Sequence, residues 1–163
     1  MKNIIVCDLD GTLCNIEHRL HHVQRVDDQT KLKRKPDWDA FFAGVKHDPV
    51  NEPVAEILYQ FITTELGSWK YKIVFCSGRP ERCRADTREW LRTHLEGWAD
   101  WDDCDLYMRQ DGDFRRDDIV KQEILDKHIK RNCVLFCLDD RQSVVDMWRR
   151  NGLTCLQVAD GNF

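Results

Sequence analysis

The chain has 163 residues, 42% hydrophobic and 33% charged, the composition of a globular domain long enough to build a core without disulfides or a structural metal. Its net charge of −4 excludes a polycation, so any contact with nucleic acid has to come from local basic clusters. No apolar run approaches the ~20 residues of a membrane span, and two acids follow the first apolar run too soon for a secretory leader, so a reducing cytoplasm is expected for its eight cysteines.

The first predicted element is a strand over 4–7, Ile-Ile-Val-Cys, apolar throughout, as a strand covered on both faces should be. It runs into Asp8, Leu9, Asp10, Gly11 and Thr12. Asp-Gly after an apolar run is also a hairpin signal, so this stretch alone fits either a turn or a site. Residues 14–50 are polar, rich in histidine and basic side chains, and too long for a plain connection. They are expected to form a small cap inserted over the sheet's edge, with a short helix over 36–42. His18, His21 and His22 fall here without an acid cluster of matching spacing, so they suit surface or cap positions better than a metal site.

Residues 52–66 carry Val54, Ile57, Leu58, Phe61 and Ile62 at helical intervals and stop at Gly67. A strand over 72–76 leads into Ser77, Gly78 and Arg79, and a helix over 80–95 opens on Pro80 in a first-turn position. A strand over 105–108 and a helix over 117–129 follow, the latter with Asp117 and Asp118 as an N-terminal charge pair. A strand over 134–138 ends in Asp139, Asp140 and Arg141. A helix over 142–151 stops at Asn151-Gly152, and a strand over 154–158 closes the chain. Strands alternating with helices predict an α/β, doubly wound, Rossmann-like sandwich around a parallel sheet. Residues 1–163 then make one domain, with 14–50 as its cap. No C-x-x-C pair occurs, which argues against structural zinc.

In such sheets ligands bind beyond the carboxyl ends of the strands. Three strand ends here supply four acids, a hydroxyl and an arginine, and scattered surface charge would not do so three times. The site therefore outweighs the hairpin. Four crowded carboxylates raise one another's pKa unless a cation offsets them, which implies a hard divalent ion, most simply Mg2+. With arginine, lysine and a hydroxyl nearby, that set suits a phosphoryl group.

DLDGT, SGR, a lysine on the preceding helix and LDD, in that order, resemble the haloacid dehalogenase (HAD) superfamily of aspartate-nucleophile phosphatases. "FRRDDIVKQEILDKHI" (114–129) and "DDRQSVVDMWRRNGLTCLQVADGNF" (139–163) are similar to the 3′-phosphatase domain of phage polynucleotide kinase/phosphatases, whereas 14–69 matches it poorly. The resemblance implies that Asp8 attacks phosphorus and becomes a phosphoaspartate. Asp10 would protonate the leaving oxygen and then activate water, with its pKa raised by acidic neighbours. Thr12, Ser77 and Gly78 would cradle the phosphoryl oxygens, Lys121 would neutralise charge and hold Asp8, and Arg79 and Arg19 would grip phosphate. Asp8, Asp139, Asp140 and the Asp10 main-chain carbonyl would hold Mg2+.

A small cap leaves such a site open to bulky substrates. Arginines 79, 82, 84, 88, 109, 115 and 116 could line a path for a nucleic-acid backbone, while Trp38, Trp90 and Trp148 are more often core than stacking platforms. The basic run 31–35 offers a further patch. The expected reaction is removal of 3′-phosphates from DNA or RNA ends or from 3′-nucleotides. The alternatives are a nucleotidase acting on nucleoside monophosphates and a non-catalytic receiver-like phosphoacceptor. No G-x-x-x-x-G-K-[ST] motif occurs, so phosphorylation of a 5′ end by that route is not expected, and the phosphatase either works alone or has a separate kinase or ligase polypeptide as partner.

Overall fold

The computed structural model describes residues 2–25, 33–62, 71–95 and 105–161. Strands β1 (Ile4–Cys7), β2 (Lys72–Pro80), β3 (Asp105–Arg109), β4 (Val134–Asp139) and β5 (Cys155–Gln157) form one parallel sheet in the order β3-β2-β1-β4-β5. Six α-helices lie among the described residues: α1 (Glu17–Leu20), α2 (Trp38–Ala43), α3 (Glu52–Ile62), α4 (Arg84–His94), α5 (Asp117–His128) and α6 (Gln142–Arg150).

The alternation of a strand's side chains divides the core in two. Ile5 and Cys7 of β1 join Phe75, Leu138, Leu58 of α3 and Trp90 of α4 on one face. Val6 joins Cys76, Val120 and Leu125 of α5 and Trp148 of α6 on the other. Both Trp90 and Trp148 are core residues, as expected for large rings. The strand order reverses between β1 and β4, and the carboxyl end of the sheet at that reversal is where ligands bind in this architecture.

Three local expectations change. Pro80 ends a strand instead of starting a helix: β2 runs to it past an irregularity that pairs Pro80 with Arg109. A 3-10 turn over Glu81–Cys83 then delays α4 to Arg84. The short cap helix is Trp38–Ala43, starting two residues later than expected, because Asp37 acts as its N-cap and accepts from the Ala40 amide at 2.9 Å. The cap does not lie at a sheet edge. Its ends are stitched together, with Asn15 N donating to Pro49 O and Asn51 N to Leu13 O, both at 2.8 Å. It packs beside α4 and over the carboxyl ends of the central strands β1 and β2, where Arg19 and Asp48 meet Asp10 and Arg79. The predicted end of α3 at 66–67 and residues 31–32 of the basic run lie outside the described residues.

All seven described cysteines are free thiols, and all but Cys133 are buried. Burial pushes the thiols of Cys7, Cys14, Cys76 and Cys137 well up, and that of Cys155 up to about 12.

Candidate active site

The chain leaves β1 with the Asp8 amide donating to Leu138 O of β4 at 3.0 Å, so the acids that follow each strand become neighbours. Asp8, Asp139 and Asp140 are all buried, with carboxylate oxygens within 4.8 Å of one another. Gly11, at φ +84°, lies where a Cβ would collide with the Asp140 carboxylate. The Asp-Gly pair that mimics a hairpin is thus a glycine giving room to an acid.

α5 turns Lys121 inward, almost fully buried, and its Nζ donates to Asp8 Oδ1 at 2.7 Å and Asp139 Oδ2 at 2.8 Å. Asp139 also accepts from Trp148 Nε1 and the Arg141 amide, each at 3.2 Å. Two of the three carboxylates therefore share one ammonium, and Asp140 stands beside them without a bond to it. Burial, partly offset by Lys121 and reinforced by Asp139 and Asp140, holds the Asp8 carboxyl well above its usual range. Burial and then Asp139 push Asp140 up to about 6. Lys121 titrates above its usual range, because Asp139 and Asp8 outweigh the burial that opposes its charge. A compact, anion-rich set of oxygen donors fits a hard divalent cation.

A second cluster lies beside the first and has the opposite balance. Asp10 Oδ1 accepts from Arg19 Nη2 at 2.6 Å and from Arg79 Nε and Nη2 at 2.8 and 2.5 Å. Behind it, fully buried Asp48 accepts from Arg19 Nε and Nη2 and Arg79 Nη2, each at 2.7 Å, and contacts His18 Nε2 at 2.8 Å. Burial alone would raise Asp10, but Arg79 and Arg19 overcome it and the carboxyl falls below its usual range. The expected upward shift is therefore reversed, because the nearest charges are guanidiniums from the cap and from β2.

The sequence-predicted residues divide accordingly. Asp8, Asp10, Lys121, Asp139, Asp140 and Gly78 line a cleft of about 360 Å³. Arg19 and Arg79, expected to reach phosphate, are buried with their guanidiniums on Asp10 and Asp48 and do not line it. Thr12 is buried with its hydroxyl donating to Asp140 Oδ1 at 3.3 Å, and the buried Ser77 hydroxyl accepts from the Arg79 amide at 3.2 Å. Gly78 is a matter of space, since a Cβ there would meet Asp117 Oδ1 at 2.6 Å. Asp117 is more than a helix-terminal charge: it enters the cleft and pairs with Arg109 and, at 2.7 Å, Arg141. Of the other arginines, 82, 109, 115 and 116 line the cleft with Trp38 and Phe42, whereas Arg84 pairs with Glu81. Asp48 went unrecognised in the sequence, where His-Asp-Pro within a polar stretch carries no signal.

The family described as "Polynucleotide kinase PNKP phosphatase domain" matches residues 2–163. A chain of the Pnkp1/Rnl/Hen1 RNA repair complex superposes with a TM-score of 0.75 at 32% identity, covering all of this chain and 44% of that one. A haloacid dehalogenase-like hydrolase from Streptococcus pneumoniae shares the fold, with a TM-score of 0.59 at 13% identity over 95% of this chain and 83% of that one. A putative bifunctional polynucleotide kinase/RNA ligase of Autographa californica nuclear polyhedrosis virus is 35% identical over 78 residues, 47% of this chain and 11% of that protein. The chain thus spans less than half the length of the repair-complex and viral relatives.

Proposed function

The chain belongs to the polynucleotide kinase PNKP phosphatase-domain family and is a HAD-type phosphatase, and from that premise we propose that it is a magnesium-dependent phosphomonoesterase removing 3′-phosphates from polynucleotide ends. The observation that carries this is the pairing of an acid-rich floor with a cleft walled by arginines and aromatic rings.

Lys121 holds Asp8 Oδ1, which leaves Oδ2 to attack phosphorus and form the phosphoaspartate, so that one hard displacement becomes two easier ones. All three arginine hydrogen bonds to Asp10 land on Oδ1, leaving Oδ2 for proton transfer to the departing 3′-oxygen and then from the attacking water. At rest Asp10 is ionised. An arriving phosphate dianion adds negative charge beside it and favours its protonation. Arg19 and Arg79 thereby serve the phosphate through Asp10, which they orient. Asp8, Asp139 and Asp140, with the Asp10 main-chain carbonyl, would hold Mg2+, which when bound supplies Lewis-acid stabilisation of the phosphoryl charge. Thr12 steadies Asp140, Ser77 steadies the Arg79 backbone, and Gly78 shapes the cleft wall. A receiver-like phosphoacceptor would have no use for a proton-transfer carboxylate held by two arginines.

The relatives named for an RNA repair complex and for a kinase/RNA ligase support a substrate among nucleic-acid ends, with kinase and ligase polypeptides as partners. No described helix is long and apolar enough to cross a membrane. The deciding experiment measures phosphate release, with and without chelator, from 3′-phospho-oligonucleotides, 3′- and 5′-mononucleotides and sugar phosphates. Preference for the oligonucleotide supports the proposal. Faster release from 5′-mononucleotides would replace it with a nucleotidase.

A further inference from the structure

Phe114 is 95% exposed, yet the segment that carries it is firmly built. Arg109 Nη1 donates to the carbonyls on either side of it, Asp113 O at 3.0 Å and Arg115 O at 2.7 Å. The Asp113 amide closes a turn on Gln110 O at 3.1 Å. Arg115 is tied back to Asp113 and, through Nη1 at 2.7 Å, to Glu123 of α5. A ring held out into water on so well-anchored a segment is preorganised to receive an external partner at little entropic cost.

Its position identifies that partner. Phe114 lines the same cleft as Asp8 and Asp10, and so does Trp38 of the cap, which is 45% exposed and stacked on Phe42 with centroids 5.9 Å apart. Arg82 braces the two arms of this rim: its Nη2 holds Asp39 of α2 at 2.9 Å, and its amide donates to Asp111 Oδ1 at 3.1 Å. Two aromatic faces on separate elements, set among arginines and opening on the phosphoryl site, have the chemistry of a stacking platform for unpaired bases.

We propose that Phe114, with Trp38, forms a subsite for the nucleobase of the 3′-terminal nucleotide, which must be unpaired to enter. This rests on the polynucleotide assignment above and deepens it: the enzyme reads the presence of a base next to the phosphate and not which base, because every base offers a π-face. Single-stranded or frayed 3′ ends are then the preferred substrates, and a blunt duplex end is penalised by the need to unstack its last pair.

The test compares two single-stranded oligonucleotides that differ only at the 3′-phosphorylated terminal sugar, one bearing a base and one abasic. Within each protein variant the ratio of kcat/KM for the two is taken, so that a partly folded preparation cannot mimic the effect. The wild type is expected to favour the base-bearing end by about tenfold, in the range of one stacked base. Phe114→Ala should bring the ratio close to one, Phe114→Tyr should restore it, and Trp38→Ala should lower it. A wild-type ratio near one overturns the proposal. So does a ratio unchanged in Phe114→Ala, which would assign the ring to a protein partner instead. Failure to release phosphate from either oligonucleotide, with ready turnover of 4-nitrophenyl phosphate, would overturn the polynucleotide assignment itself.

Discussion

Two groups of carboxylates sit side by side at the end of β1, and they are built on opposite principles. Asp8 and Asp139 share the ammonium of Lys121, and Asp140 lies beside them with a hydrogen bond from Thr12. Asp10 and Asp48 share two guanidiniums, with His18 alongside. Residues 8 and 10 are two positions apart in the chain, yet one carboxyl is driven above its usual range and the other below it. The first group lacks positive charge and can be completed by a cation from solution. The second is completed by the fold, with all three arginine bonds to Asp10 landing on Oδ1.

The contrast should break most severely at the two acids proposed for catalysis. Asp8→Asn should abolish turnover, because an amide cannot supply the attacking oxygen, while Asp10→Asn should lower kcat by about 10²- to 10⁴-fold, the usual worth of a general acid and base. Steady-state release of phosphate from a 3′-phospho-oligonucleotide reads both. Next in size is Asp48→Asn. Removing one partner from a buried ion-pair network costs about 3–5 kcal/mol, so its urea unfolding midpoint should fall sharply, with activity falling too as Arg19 and Arg79 lose their anchor.

Mg2+ sharpens the contrast from the other side. A chelator should silence the enzyme, and saturating Mg2+ should stabilise the wild type by about 2–3 kcal/mol at a hundredfold excess over Kd. Asp139→Asn should lose most of that gain, visible as the shift in thermal midpoint. The smallest effect is on pH dependence in the presence of chelator. Asp140, raised from 3.8 to about 6, holds its proton more tightly folded than unfolded, so its contribution is fully present below pH 3.8 and lost as pH rises through about 6. Asp10, lowered from 3.8, contributes stability above pH 3.8 that is lost as pH falls through its folded value. Asp140→Asn should therefore flatten the decline between pH 3.8 and about 6, and Asp10→Asn the decline on the acid side.

The first group was legible in the sequence because each acid directly follows an apolar run, and a parallel sheet brings all strand ends to one side. Lys121 was legible only by its place in a motif, since a lysine among charged neighbours on a helix looks solvated. The second group was legible only in part, since Asp10, Arg19 and Arg79 stood out but their shared contacts with one another and with Asp48 did not. Its members are residues 10, 19, 48 and 79, joined across a cap with neither helical nor strand periodicity, so Asp48 could not be singled out and the sign of the Asp10 shift came out reversed. Pro80 misled for a related reason: its fixed φ suits a helix start, but pairing with β3 keeps the backbone extended there. Phe114, one apolar residue amid Asp-Gly-Asp and Arg-Arg, offered no periodicity to interpret.

The buried thiols make the interior of this sheet a built-in stopwatch. Cys7 and Cys76 lie immediately before the acids and the Ser-Gly-Arg end of β2, protonated and shut away from reagents, so a thiol-specific alkylating agent can reach them only during moments when the strand ends come apart. Pulsed modification read by mass spectrometry would time those openings residue by residue, and occupancy of the floor by a divalent ion should lengthen the interval between them.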